Sequence, residues 1–169
     1  TKTHMGVGTE VCLKPVDIDI MDRTEIRENL RLYGEAMQIL DLTVRNVARF
    51  AWESVKEERK NKLLQTIGML CDKNNSILCI DVLLDFISSE CPSASIREIY
   101  GKLRELIAWG YIFSIVKMAN GQIESNLNDF ICQLENAMQM DNAEEFADLW
   151  QAFIEQRLKL FYKEFPARL

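Results

Sequence analysis

Two carboxylates four residues apart form the clearest chemical pattern in this sequence. Asp81 and Asp85 are the only charged residues in an otherwise apolar run from Ile77 to Ile87, and that spacing puts both on one face of a helix. Like charges so placed repel each other, and burying them requires a partner. Two readings stay open. The pair can form the solvent-facing edge of its helix. Alternatively it faces an internal pocket, toward a cationic or hydroxyl-bearing ligand or a nearby Arg such as Arg45, Arg49 or Arg104. A hard cation could use the two carboxylates with water, but without further oxygen ligands they make a poor cage.

The rest of the reactive inventory is thin. The one His, His4, almost empties the stock of general bases and metal ligands. The Cys residues (Cys12, Cys71, Cys79, Cys91, Cys132) are odd in number and widely scattered, with no CxxC. That pattern suits reduced thiols in a cytoplasm, several of them packed as small apolar groups, rather than a secreted disulfide framework or a zinc site. There is no Gly-rich phosphate loop, GxSxG or HExxH, and no Cys–His pairing within reach. The expectation is a protein that is not an enzyme, with no cofactor and no divalent metal.

Composition narrows the class further. The 169 residues suffice for one domain with a full core, and 48% hydrophobic against 27% charged residues is a globular balance. Scarce Gly (7) and Pro (3) disfavour an all-β fold with many turns. No apolar run reaches the roughly 18 residues of a membrane span, so no membrane association is expected. The net charge of −6 argues against this segment itself gripping a phosphate backbone.

The elements that must position Asp81 and Asp85 are helices. Residues 1–21 stand apart, with a short extended piece over Gly8–Leu13 ended by Pro15. A helix begins at Thr24, and Gly34 marks a bend or break in it. Met37, Leu40, Val44, Val47, Ala48 and Ala51 share one helix face; after the charged run Lys56–Lys60, Leu63, Leu64, Ile67, Leu70 and Cys71 restore the stripe. Lys73–Ser76 is a connector, and Cys91–Ser95 breaks the chain again. Ser95 with Glu98 three residues on reads as a capping box for a helix running to about Met118. Asn120-Gly121 is a turn, followed by helices over about 123–138 and 142–161. The expected fold is all-α, an antiparallel bundle of six to seven helices.

Two features together resemble a known family. Gly6-Val7-Gly8-Thr9-Glu10-Val11 is similar to the GxGTxV segment that ends the DNA-binding wing of GntR-family bacterial transcription regulators. The remainder resembles the all-helical effector-binding (FCD) domain of their FadR subfamily. The best match is Leu127 to Phe161: a helix, a short turn where the family usually has Gly-Asp and this chain has Asp141-Asn142, then Ala143-Glu144-Glu145-Phe146-Ala147. Ala48-Arg49-Phe50-Ala51 and Asp81-Val82-Leu83-Leu84-Asp85-Phe86 fall where the family has a small-residue helix segment and an Asp-x-x-x-His.

The resemblance implies a site, and this sequence departs from it. Many members bind a divalent metal through one Asp and three His. Here Asp81 matches the Asp and is the only family-type ligand retained. The His positions fall on Asp85, about Ile131, and Phe153, and no shift of register recovers a His. The Arg that receives an effector carboxylate falls near Leu40, with Arg45 the nearest downstream. Effector-pocket candidates are therefore Asp81, Asp85, Leu40, Arg45, Arg49, Ile131 and Phe153. With Leu40, Ile131 and Phe153 in the family's polar positions the pocket is more apolar, which suits either a larger hydrophobic effector or a pocket filled by its own side chains.

The aromatics Trp52, Trp109, Trp150, Tyr100, Tyr111, Phe113, Phe130 and Phe153 read as core or dimer-interface residues, and the apolar run Trp109–Phe113 as a partner face. On this resemblance residues 1–21 are a remnant of wing and linker, and 22–169 a helical effector-binding and dimerisation domain. The expected protein is a cytoplasmic, homodimeric sensor of a small molecule that meets DNA through a winged helix preceding Thr1. A helical interaction module without a small ligand is the alternative.

Overall fold

In the chain's computed structural model, a helix of 31 residues, α1 (Thr24–Ser54), forms the spine. The structure describes residues 24–72, 76–117 and 122–164, with side chains over 28–71, 76, 78–107 and 127–163. Leu30, Tyr33, Met37, Leu40, Val44, Val47 and Ala51 recur at spacings of three and four, and all are buried. Gly34 does not break α1. It is itself buried, so packing along the helix outweighs its propensity penalty of about 1 kcal/mol.

Five helices follow: α2 (Glu57–Asp72), α3 (Ser76–Glu90), α4 (Ala94–Lys117), α5 (Gln122–Gln139) and α6 (Ala143–Glu164). The described residues thus form an all-α bundle of six helices. α1 packs mainly on α6 and also on α4 and α3, while α2 bridges α3 and α5. Contacts run from Tyr33–Phe161 and Gln38–Tyr162 through Asp41–Gln151 and Arg45–Asp148 to Trp52–Phe146. As numbers rise along α1 they fall along α6, so the two are antiparallel. Short turns pair α3 with α4 and α5 with α6 as helical hairpins.

Two turns show why the elements end where they do. At the start of α4 the cap is Ser93, not Ser95: Ser93 Oγ accepts the Ile96 N–H at 3.4 Å, and its carbonyl accepts that of Arg97 at 3.0 Å. Arg97 also donates to the Cys91 and Pro92 carbonyls, closing the turn left by α3. With those bonds made, Ser95 is already inside the helix. Between α5 and α6, Asn142 N–H bonds the Ala137 carbonyl at 2.9 Å and Asp141 N–H bonds that of Met138 at 3.1 Å. This double closure places Asp141 in the left-handed region, at φ 50. Asn142 then caps α6, its Oδ1 accepting the Glu145 N–H at 3.2 Å while Glu145 accepts from Asn142 Nδ2 at 2.9 Å.

The core is aromatic. Trp52 packs on Phe86 and Phe146, and Phe130 stacks on Phe153 at 4.1 Å with Trp150 edge-on to both. Tyr100, Trp52, Trp150, Phe130 and Phe153 are all buried. No helix among the described residues is long and apolar enough to cross a membrane. The extended piece at Gly8–Leu13, the wing-like segment, His4, Cys12 and the 1–21 region lie outside the described residues, as do the side chains of Trp109, Tyr111 and Phe113.

Candidate functional site

The candidate pocket residues divide among three places. Leu40 and Phe153 meet in the bundle centre, where Met37, Ile80, Leu84 and Trp150 help to wall a largely apolar cavity that Arg157 of α6 also lines, its guanidinium 5.1 Å from the Phe153 ring centroid. Its volume is about 20 Å³, which is room for about one water. Among the described residues no acceptor reaches the indole Nε1 of Trp150, a fully buried donor in that wall. Ile131 is buried in the same core but is not part of this wall.

Asp81 and Asp85 face away from the cavity, toward α4. Arg104 lays its guanidinium against both: Nε and Nη2 donate to the two Asp81 oxygens at 3.0 and 2.9 Å, and Nη1 donates to Asp85. The Asp81 hydrogen bond, with the charges of both carboxylates, holds the Arg104 guanidinium above its ordinary pKa. Asp81 and Asp85 side chains are 43% and 56% exposed. They border an open groove of about 480 Å³ shared with Ser88, Ser89, Arg97, Gly101 and Glu105. The reason for this orientation is desolvation. Two carboxylates in an apolar cavity would lose far more hydration than they regain, whereas at the α3–α4 edge they keep water and share one cation.

Arg45 and Arg49 are also drawn outward. Arg45 donates to Asp148 at 2.6 Å and to Glu144 at 2.8 Å, and Arg49 to Glu144 at 2.8 Å. These bonds raise the Arg45 pKa, chiefly through Asp148, and lower that of Glu144, chiefly through Arg49. The two cations tie α1 to α6 and do not line the central cavity. The expected single pocket of Leu40, Arg45, Asp81, Asp85, Ile131 and Phe153 is therefore not assembled. Two members share the cavity, two share the groove, and the arginines form an interhelical ladder.

No family model, curated protein or solved structure matches this chain.

Among the described residues, no three His, Cys, Asp or Glu side chains come together in a way that could hold a metal ion. One polar cluster was not foreseen from the sequence. Lys60, almost buried, donates to Asp141 Oδ1 at 2.6 Å, and Trp52 Nε1 donates to the same oxygen at 2.8 Å. The Lys60 ammonium also lies 4.8 Å from the Trp52 ring centroid. The sequence held only a faint signal of it, a turn residue in Asp141-Asn142 where glycine would be ordinary. The long separation of the three partners hid the rest.

Proposed function

We propose that this chain is the ligand-sensing and dimerising regulatory domain of a GntR-family DNA-binding transcription regulator of the FadR subfamily. The observation that carries the reading is the α5–α6 turn. Asp141 adopts the left-handed conformation that favours glycine, and Asn142 caps α6. A Gly-Asp pair, which the family has at this place, would serve the same two backbone roles. The helical order around it supports the reading too: a long first helix, Asp81 and Asp85 on the third, and a last helix opening with Ala143-Glu144-Glu145-Phe146-Ala147.

In this reading the domain pairs with a second copy in the cytoplasm, and DNA is read by a winged helix ahead of Thr1. The sensed molecule is largely apolar, because most of the cavity wall is apolar and Arg45 and Arg49 are bound to α6, leaving Arg157 as the one arginine among the described residues that lines it. Binding it requires the cavity to open, a population shift toward a state the ligand selects.

The coding sequence upstream of Thr1 is the direct test. A winged-helix domain there, and sequence-specific DNA binding by the longer chain, are the expected results. An upstream segment with no helix-turn-helix overturns the proposal. One observation favours a second reading, a helical interaction module without a small ligand: the cavity holds no more than about one water. A thermal-shift screen separates the two. Stabilisation by apolar compounds supports the sensor, and none by any small molecule supports the module.

A further inference from the structure

The solvent side of α1 is more apolar than an exposed helix face needs to be. Ile39, Leu42 and Phe50 are 42%, 80% and 42% exposed, Leu42 opposite the buried Leu40, Val44 and Ala51 and the other two on one flank of that face. Their positions form a seam. Glu28, Glu35, Leu42 and Arg49 recur every seven residues, and Leu32, Ile39, Asn46 and Glu53 form the adjoining row. α4 flanks this face, where Tyr100 meets Thr43 of α1 at 2.8 Å, and Ile99 of α4 is 50% exposed.

We propose that this seam binds a second copy of the chain, α1 against α1, antiparallel about a two-fold axis at Leu42. The charges select that arrangement. Around an axis at Leu42, Arg31 lies across from the partner's Glu53 and Glu35 across from the partner's Arg49. Leu42 meets its own copy, and Ile39 lies across from the partner's Arg45 and next to the partner's Asn46. Arg31, Glu35, Arg49 and Glu53 thus each meet an opposite charge, and each contact occurs twice, as an isologous interface requires. A parallel pairing would set Glu28, Glu35 and Glu53 each against its own copy, with repulsion at every one.

The side chains can make these bonds from where they stand. Arg31 already holds Glu35 one turn along the helix, at the exposed surface. Arg49 donates through Nη1 to Glu144, and a guanidinium has further N–H groups to offer a second carboxylate. Pairing two copies joins these exposed bonds into a network around an apolar centre of Leu42 and Ile39, with Phe50 toward its edge. The inference rests on the dimerisation in the proposed function and names the surface that performs it.

Sedimentation equilibrium of the 169-residue chain at tens of micromolar tests it, with circular dichroism to follow the helices. The wild type should be a dimer. Leu42→Asp places two carboxylates at the axis and should raise the dissociation constant at least about tenfold, with helical signal unchanged. Arg31→Glu should weaken the dimer, and Arg31→Glu combined with Glu53→Arg should recover it. A dimer untouched by Leu42→Asp, or no recovery in the double exchange, overturns the surface while leaving dimerisation through another face standing. A monomeric wild type overturns both.

Discussion

Trp52 donates its indole N–H to Asp141 Oδ1 at 2.8 Å, joining the last turns of α1 to the turn between α5 and α6. Lys60 closes the same oxygen from the start of α2. Two helix junctions, α1–α2 and α5–α6, therefore meet on one carboxylate.

Replacing that carboxylate should be expensive for a residue so exposed. Asp141→Ala leaves the buried Trp52 N–H without its acceptor and puts a β-carbon at φ 50 without a polar side chain to support it. The expected loss is about 2–4 kcal/mol. Asp141→Asn keeps an acceptor and tolerates the left-handed backbone, so its loss should be about 1 kcal/mol. Urea unfolding of both variants checks the order, and an alanine variant as stable as wild type would show that the junction is idle.

Acid should act through the same group. Lys60, then Trp52, holds the Asp141 carboxyl below its ordinary 3.8, and Arg49 holds that of Glu144 below 4.5. Both pKa values are lower in the folded than in the unfolded chain. Their contribution is therefore present above the ordinary carboxylate values and is lost as pH falls through the folded values. Stability from these groups should be flat from neutrality to about pH 5 and should decline below pH 4. The slope should flatten in Asp141→Asn combined with Glu144→Gln. A decline equally steep in that variant places the acid-sensitive groups elsewhere.

The cysteines should separate by reactivity. Burial, reinforced by Cys71 at 4.0 Å, pushes the Cys79 thiol up to about 12, while Cys132 is exposed. At neutral pH Cys79 is protonated and shielded, and the thiolate is the reactive form. Peptide mapping after brief iodoacetamide treatment should find Cys132 modified and Cys79 untouched until urea unfolds the chain. Rapid labelling of Cys79 in the native protein contradicts this packing.

The central aromatic stack sets the size of the cavity. Phe153→Ala removes a ring stacked on Phe130 at 4.1 Å and should destabilise by about 3–5 kcal/mol. The enlarged space, walled by Leu40, Met37 and Ile80, is apolar and should admit benzene. Benzene should raise the melting temperature of the variant more than that of the wild type, whose cavity must first open. An equal shift in both would mean that the wild-type cavity already opens.

Much of the fold was legible in the sequence, because an amphipathic helix writes its buried face into its own spacing. Met37, Leu40, Val44, Val47 and Ala51 marked the inside of α1, and the connector and turn read at Asn74 and Asn120 lie outside the described residues. Local chemistry was less decisive at the ends. Ser93 and Ser95 are both good caps, and the choice between them fell to Arg97, which anchors the turn through the Cys91 and Pro92 carbonyls. Gly34 reads locally as a break and is not one, since buried neighbours on both sides keep the helix intact.

For the candidate site, the sequence determined the residue types: two carboxylates four apart on an apolar helix, one histidine far from them, and aromatics at helical spacing. It could not say which way α3 is turned. That depends on where Arg104, Leu40 and Phe153 lie in space, and only the tertiary structure supplies it. The outcome follows from relative solvation. Apolar groups gain by meeting at the centre, while Asp81 and Asp85 keep water and one shared guanidinium at the α3–α4 edge.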